Sequence, residues 1–312
     1  MVQNNSLPLV SIVVVTYNSS STILETLDSI KAQTYRNIEL IVSDDHSTDN
    51  TLLEVKKWLN DNSNRFVSTN LLETEVNTGV TKNCNRGLKA SKGEWVKYIA
   101  GDDALLDDGI EKYVKFVKTN KDLEVCFAKS LVYKDFFLDE FQIKDNYSRY
   151  NVLRDNGKGV KDKFKRLCFG NCILGNSDFI KRSLLEELGG FDEDIPMCED
   201  FPLWVKITSL NHNIYYLNDY TVKYRVHEGS IDSEYAKKFI FSKYFEVDNI
   251  VYQKYIKQRA NSLIRMAIRY NHYLRLFLSY LKMDRDRYGC KYFYRFMNSP
   301  IEILKIWYSY SL

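Results

Sequence analysis

The chain has 312 residues, 45% hydrophobic and 27% charged, with only 13 Gly and 4 Pro. That excludes disordered, fibrous and low-complexity classes, and leaves one large domain or a domain with an appendage. The net charge of +3 is uneven: residues 240–312 hold 13 Lys/Arg against 5 Asp/Glu, a balance of +8, and leave −5 to residues 1–239.

The same basic tail holds 17 of the 44 aromatic residues, which suits an anionic membrane face or a protein partner. No nucleic-acid-binding motif accompanies it, so nucleic acid is not an expected partner. The six cysteines are scattered, with no Cys-x-x-Cys pair, the pattern of reduced thiols in a cytoplasmic protein rather than a zinc site. The N-terminus lacks a positive n-region, and no run of about 18 apolar residues is present to span a membrane.

In chain order, residues 9–15 form a β-branched run that reads as a buried parallel strand ending in Thr16-Tyr17-Asn18. Ser21 or Thr22 is placed to cap a helix whose Ile23, Leu27 and Ile30 share one face. Residues 38–42 make a second strand that stops at Ser43-Asp44-Asp45, and a second helix starts at Thr51, with Asp49 as a capping candidate. Phe66-Val67 opens a short strand, 81–90 is a helix, and 95–99 is a strand ending at Ala100-Gly101-Asp102-Asp103. This alternation predicts a doubly wound, mostly parallel sheet, in which ligands bind beyond the carboxyl ends of the strands. Three polar clusters are therefore expected on one edge.

Further along, 107–125 reads as a helix, 125–133 as a strand, and 135–170 as a polar loop suited to closing over a site. Helices are expected at 183–188 and from Glu199-Asp200 onward, and beyond residue 235 the pattern is purely helical.

Adjacent carboxylates such as Asp102 and Asp103 repel each other, and burying one is costly. A hard divalent cation, Mg²⁺ or Mn²⁺, relieves both problems; a solvated turn is the plainer alternative. Asp45 is placed to accept hydrogen bonds from a base or ribose. Asp200, beside Glu199 at a helix start, is a candidate general base, though a carboxylate is favoured there on electrostatic grounds alone. His227 stands in a Tyr-Arg-Val-His run where Arg225 and Ser230 would suit phosphate contacts.

Singly these signals are weak, but their order resembles the inverting family 2 glycosyltransferases of the GT-A fold, of the bacterial surface-polysaccharide type. The resemblance runs from about Leu9 to Ser230 through Thr16-Tyr17-Asn18, Asp44-Asp45, Asn77-Thr78-Gly79, Asn85, Gly101-Asp102-Asp103, Gly189-Gly190-Phe191-Asp192, Glu199-Asp200 and Tyr224-Arg225-Val226-His227. It implies a Rossmann-like sheet with helices on both faces in residues 1–235, beyond which the residue pattern itself sets 236–312 apart as a helical, basic and aromatic region. It further implies a nucleotide-sugar site at Thr16, Tyr17, Asn18, Asp45, Gly79 and Asp102, with Lys82 placed by position to neutralise phosphate. Asp103 and His227 resemble the residues that meet Mn²⁺ or Mg²⁺, and Asp200, supported by Glu199, resembles the catalytic base.

Two departures stand out: Ala100 replaces an acid common in relatives, and Cys84 stands where a basic residue often precedes Asn85. The expected activity is transfer from a nucleotide-diphosphate sugar, UDP being commonest in that family, to a glycan or lipid-linked glycan. The alternatives are a sugar nucleotidyltransferase, which would normally carry a Gly-rich phosphate loop, and a non-catalytic sugar-binding relative. In the tail, Arg265, Arg269, His272, Arg275 and Lys282 lie along one side of a helix and Leu263, Met266, Tyr270, Leu274, Phe277 and Leu281 elsewhere. Such a helix suits peripheral contact with the inner face of the plasma membrane, a homodimer contact, or packing on the catalytic domain.

Overall fold

A computed structural model describes residues 7–143, 152–195, 198–227, 244–281, 283 and 288–310. Asn146 and Asn151 of the polar loop, together with Ser230 and Lys282, lie outside the described residues. The chain forms two compact units, one of Met1–Asp145, Ile173–Asp200 and Tyr215–Arg225, the other of Asn146–Cys172, Phe201–Ile214 and Val226–Leu312.

The first unit is built on a nine-stranded sheet. Its strands are β1 (Val10–Thr16), β2 (Ile38–Asp44), β3 (Ser68–Leu72), β4 (Trp95–Ala100), β5 (Ala104–Leu105), β6 (Val125–Lys134), β7 (Gln142–Ile143), β8 (Asp178–Lys181) and β9 (Tyr215–Val226). They are ordered β3-β2-β1-β4-β8-β6-β9-β5, with β7 paired to β6. From β3 to β4 the pairing is parallel, as the alternation with helices predicts. Beyond β4 it turns antiparallel, because β8 runs against both β4 and β6. Thr16 stands opposite Asp44, and Val15 opposite Ala100, so the three polar strand ends do share one edge.

Helices cover both faces. Val10, Ile12 and Val14 point to one side and pack with Ile23, Leu27 and Ile30 of α1 (Ile23–Lys31) and with Val55 and Trp58 of α2 (Thr51–Asn62). Burying each such aliphatic side chain stabilises the fold by roughly 1.5–3 kcal/mol. Val13 points to the other side, where α3 (Val80–Ala90) sits so close that a Cβ on Gly87 would lie 2.3 Å from Val13 Cγ1. Only glycine lets α3 approach this far.

Local expectations shift where a side chain has a better use. Thr22 does not cap α1; its hydroxyl donates to the Gly101 carbonyl at 2.9 Å and ties the first loop to the Asp102-Asp103 turn. β3 starts at Ser68 rather than Phe66, because Phe66 is buried against Trp58 as the chain leaves a 3₁₀ turn. α4 (Gly109–Thr119) ends well short of residue 125, since Asn120 leaves helical geometry.

The second unit includes α5 (Val160–Leu167), where buried Lys163 donates to the Ile214 carbonyl. Burial, partly opposed by Asp155, brings this lysine's pKa down to about 8. Between α5 and the C-terminal helices the chain forms α6 (Arg182–Glu187) of the first unit and then α7 (Asp200–Ser209). α8 (Tyr244–Val251) runs into a π-helical turn at Tyr252–Ile256, followed by α9 (Ser262–Tyr280) and α10 (Tyr288–Tyr310). Asn261 caps α9 by accepting from Ile264 N. Leu274 and Leu278 of α9 pack with Tyr294 and Met297 of α10, beside an Asn271–Asn298 side-chain hydrogen bond of 2.6 Å. No described helix is long and apolar enough to cross a membrane.

Candidate active site at the carboxyl edge of the parallel strands

The strand-end acids and their bonding partners belong to the first unit. At the end of β2, Asp45 is buried and its carboxylate is fully engaged. Oδ2 accepts from Thr78 N (2.9 Å) and Gly79 N (2.7 Å), and Oδ1 accepts from Thr78 Oγ1 (2.6 Å) and Arg86 Nη2 (2.8 Å). Gly79 takes φ +88, a left-handed value that suits glycine, while offering its N–H to this acid. Asp45 thus fixes the loop before α3 and holds a guanidinium beside the strand ends. Arg86, overlooked in the sequence, supplies a cation two residues after Cys84, where the resemblance calls for one. Lys82 is exposed on the first turn of α3.

At the end of β1, Thr16 is buried and its Oγ1 finds no hydrogen-bond partner among the described residues. A Cβ on Gly101 would stand 2.7 Å from that oxygen. Tyr17 is exposed. Asn18, at φ +51, accepts from Thr48 N at 2.8 Å and so stitches the first loop to the second. Asp49 accepts from Thr51 N (3.0 Å) and Ser20 N (3.1 Å). Slight burial would raise its carboxyl, but these bonds outweigh it and bring the pKa down to about 2.

After β4, Asp102 is half-buried and Asp103 fully buried. Asp103 Oδ1 accepts from Arg225 N at 2.9 Å and Oδ2 from Asn176 Nδ2 at 2.9 Å. Burial first, then repulsion from Asp102, pushes the Asp103 carboxyl up to about 8, against the pull of these donors and of Lys97. A carboxyl held this far from its ordinary range by burial and a neighbouring acid fits a hard cation. The described residues contain no cluster of three His, Cys, Asp or Glu able to hold a metal. Asp102 and Asp103 are the residues present at this strand end that could hold a hard cation.

Asp200, at the start of α7, accepts from Cys198 Sγ at 3.4 Å. A Cβ on Gly175 would lie 3.2 Å from its Oδ2. The next residue, Asn176, is the donor to Asp103, so one turn passes beside Asp200 and bonds Asp103. Lys97 secures that turn from inside β4: its buried Nζ donates to Asn176 O (2.7 Å) and pairs with Asp178 Oδ1 (3.1 Å). Burial drives Asp178 up and Lys97 down, and each opposes the shift of the other; Asp200 adds to the rise of Asp178. Behind them, burial lifts the Cys84 thiol well above its ordinary value, followed by the charges of Glu199, Asp178, Asp200 and Asp45. Acids remote in the chain therefore act on one buried thiol.

The phosphate contact expected of Arg225 is replaced by an internal role. Its Nε donates to the Asp102 carbonyl at 2.7 Å, its remaining nitrogens bond Asp135 O and Glu25, and its guanidinium covers Phe137 at 3.9 Å. His227 follows β9 directly and belongs to the second unit. Asn85 bonds the backbone of Phe191 in both directions (3.0 and 2.9 Å), which fixes the Gly189-Gly190-Phe191-Asp192 loop. Lys97, Asn176 and Asp178 escaped the sequence reading; a lysine inside an apolar strand was their one visible signal.

A half-parallel α/β sheet covered on both faces, with acids at its carboxyl edge, is the GT-A class of architecture. The family model described as glycosyl transferase family 2 matches residues 11–183, and the chain belongs to that family. It is 30% identical to an uncharacterized glycosyltransferase of Rickettsia typhi over 73% of this chain and 67% of that protein. It is 28% identical to the Escherichia coli UDP-Glc:alpha-D-GlcNAc-diphosphoundecaprenol beta-1,3-glucosyltransferase WfaP, over 74% and 83% of the two chains. Residues 1–349 of TarS from S. aureus, solved in complex with UDP-GlcNAc, share the fold at a TM-score of 0.61 and 20% identity, covering 86% of this chain and 72% of that one. The chain spans 43% of a longer TarS structure.

Proposed function

We propose that the protein moves a sugar from a nucleotide-diphosphate donor, UDP-linked, to a hydroxyl of a glycan or lipid-linked glycan, with inversion at the anomeric carbon. The observation that best supports this is the Gly175-Asn176 turn, whose Asn176 bonds Asp103 and whose Gly175 runs so near Asp200 that a Cβ there would lie 3.2 Å from its Oδ2. Thr16, Tyr17 and the loop that Asp45 fixes border the nucleotide. Asp102 and Asp103 would hold a divalent cation, which when bound would supply positive charge to offset the leaving diphosphate. Arg86 adds a fixed cation near the strand ends.

Asp200 accepts the proton of the acceptor hydroxyl as that oxygen attacks from the side opposite the diphosphate, and Glu199 orients the acceptor. Inversion follows because a single displacement reverses the anomeric centre. WfaP is named for a diphosphoundecaprenol-linked acceptor, which favours a lipid-linked acceptor here. The scattered cysteines suit work on the cytoplasmic side.

Asp200→Asn tests the base. Transfer should fall by roughly 10²–10⁴ while protection by UDP-sugar against thermal unfolding stays unchanged. A normal transfer rate would remove Asp200 from the mechanism. UDP release measured with and without Mn²⁺ separates this reading from a nucleotidyltransferase, which releases pyrophosphate, and from a non-catalytic binder, which releases nothing.

A further inference from the structure

Two helices of the second unit carry large apolar side chains into solvent. α9 turns Ile264, Ala267, Leu274 and Leu278 inward. On another side, at helical spacing, Met266, Tyr273, Phe277 and Tyr280 are 65%, 58%, 53% and 85% exposed. α10 buries Asn298, Ile301 and Tyr308 on one side, while Tyr292, Phe296, Ile303 and Trp307 fall opposite at 66%, 74%, 66% and 56% exposure. An outward helix face is ordinarily polar, and a continuous apolar seam, unlike scattered exposed residues, marks a contact surface.

The charge selects the occupant. The segment 240–312 carries 13 Lys/Arg against 5 Asp/Glu, and exposed Arg269 and Arg295 stand near the seams. A second copy would bring the same positive charge to the contact, whereas an anionic lipid face complements it. Tyr, Trp and Phe beside Lys and Arg are the side chains that settle at headgroup depth. Since neither helix is long and apolar enough to cross, the mode is lying on the surface.

We propose that the outward apolar faces of α9 and α10 seat this protein on an anionic membrane surface. The full chain should co-sediment with vesicles of equal phosphatidylglycerol and phosphatidylcholine, and about tenfold less with phosphatidylcholine alone or in high salt. Phe296→Ser/Ile303→Ser/Trp307→Ser should lower partitioning about tenfold without changing the thermal unfolding temperature. Should that variant misfold, Arg269→Glu/Arg295→Glu provides the second arm, with an expected loss confined to anionic vesicles. Wild-type protein that stays in the supernatant overturns the proposal, and so does a dimer that the apolar substitutions dissociate. No sugar transfer is read, so the outcome is independent of the proposed enzymatic activity.

Discussion

Asn176 donates its side-chain amide to Asp103 Oδ2 at 2.9 Å, while its own carbonyl accepts from buried Lys97 at 2.7 Å. The acid proposed to meet a cation is therefore positioned by a turn that is itself held by an ammonium inside the sheet. Because the bond favours the ionised acid, its removal should be felt in metal affinity before it is felt in folding. Asn176→Ala is expected to weaken Mn²⁺ binding about tenfold or more near neutral pH, as loss of a charged hydrogen bond worth roughly 1.5–3 kcal/mol requires. Calorimetric titration with Mn²⁺ checks this, and an unchanged affinity would dismiss the positioning role.

The raised Asp103 carboxyl gives a pH dependence of defined sign. With its pKa near 8, the acid holds a proton at lower pH, and a cation must displace it. Mn²⁺ affinity should climb from about pH 6, by up to tenfold per unit, and flatten above about pH 8. The defect of Asn176→Ala should stay constant up to about pH 8 and narrow above it, as the variant's acid ionises in turn. A flat profile would mean that Asp103 is already ionised at pH 6.

Asp103→Asn removes the acid altogether. Metal-dependent protection by UDP-sugar should disappear, while thermal stability without metal should hold or rise, since a buried and partly repelled acid has been neutralised. Differential scanning with and without Mn²⁺ reads both effects.

Lys97→Met leaves Asp178 buried without its cation and should cost about 3–5 kcal/mol. Lys97→Met/Asp178→Leu should recover part of that loss, because neither charge then remains to be solvated. Urea unfolding of the two variants decides the matter; equal destabilisation would show that the backbone contacts of Lys97, not its ion pair, dominate.

Gly189 and Gly190 form a matched test of the loop held by Asn85. Both take left-handed φ values, +72 and +76, but a Cβ on Gly190 would meet Asn85 Oδ1 at 2.4 Å whereas one on Gly189 meets nothing. Gly189→Ala should cost about 1–2 kcal/mol from backbone strain alone, and Gly190→Ala clearly more. Equal unfolding midpoints would remove Asn85 from the account.

The parallel half of the sheet was legible because buried parallel strands read as apolar runs that stop abruptly at polar residues, as 9–15 does at Thr16 and 38–42 at Ser43. β8 and β9 were not. β8 is four residues long, and β9 mixes Asn218, Asp219 and Lys223 with Val222 and Val226, so neither shows a clean period. The acids were visible as sequence pairs, but their partners were not, because Asn176 and Arg86 meet them only through tertiary contact. Arg225 misled for the same reason: beside His227 it resembles a phosphate ligand, and only the fold shows Glu25 and Phe137 occupying it. In the tail the sequence ran Leu274 together with Met266 and Phe277, which the helix packing divides between an inner and an outer side.

A lysine in the middle of β4 also constrains how this lineage can drift. Position 97 cannot become aliphatic alone without stranding the aspartate at 178, and position 178 cannot lose its acid without stranding the lysine. Descendants should therefore inherit or discard the two together, and a branch that has discarded both should show a compensating change at 176.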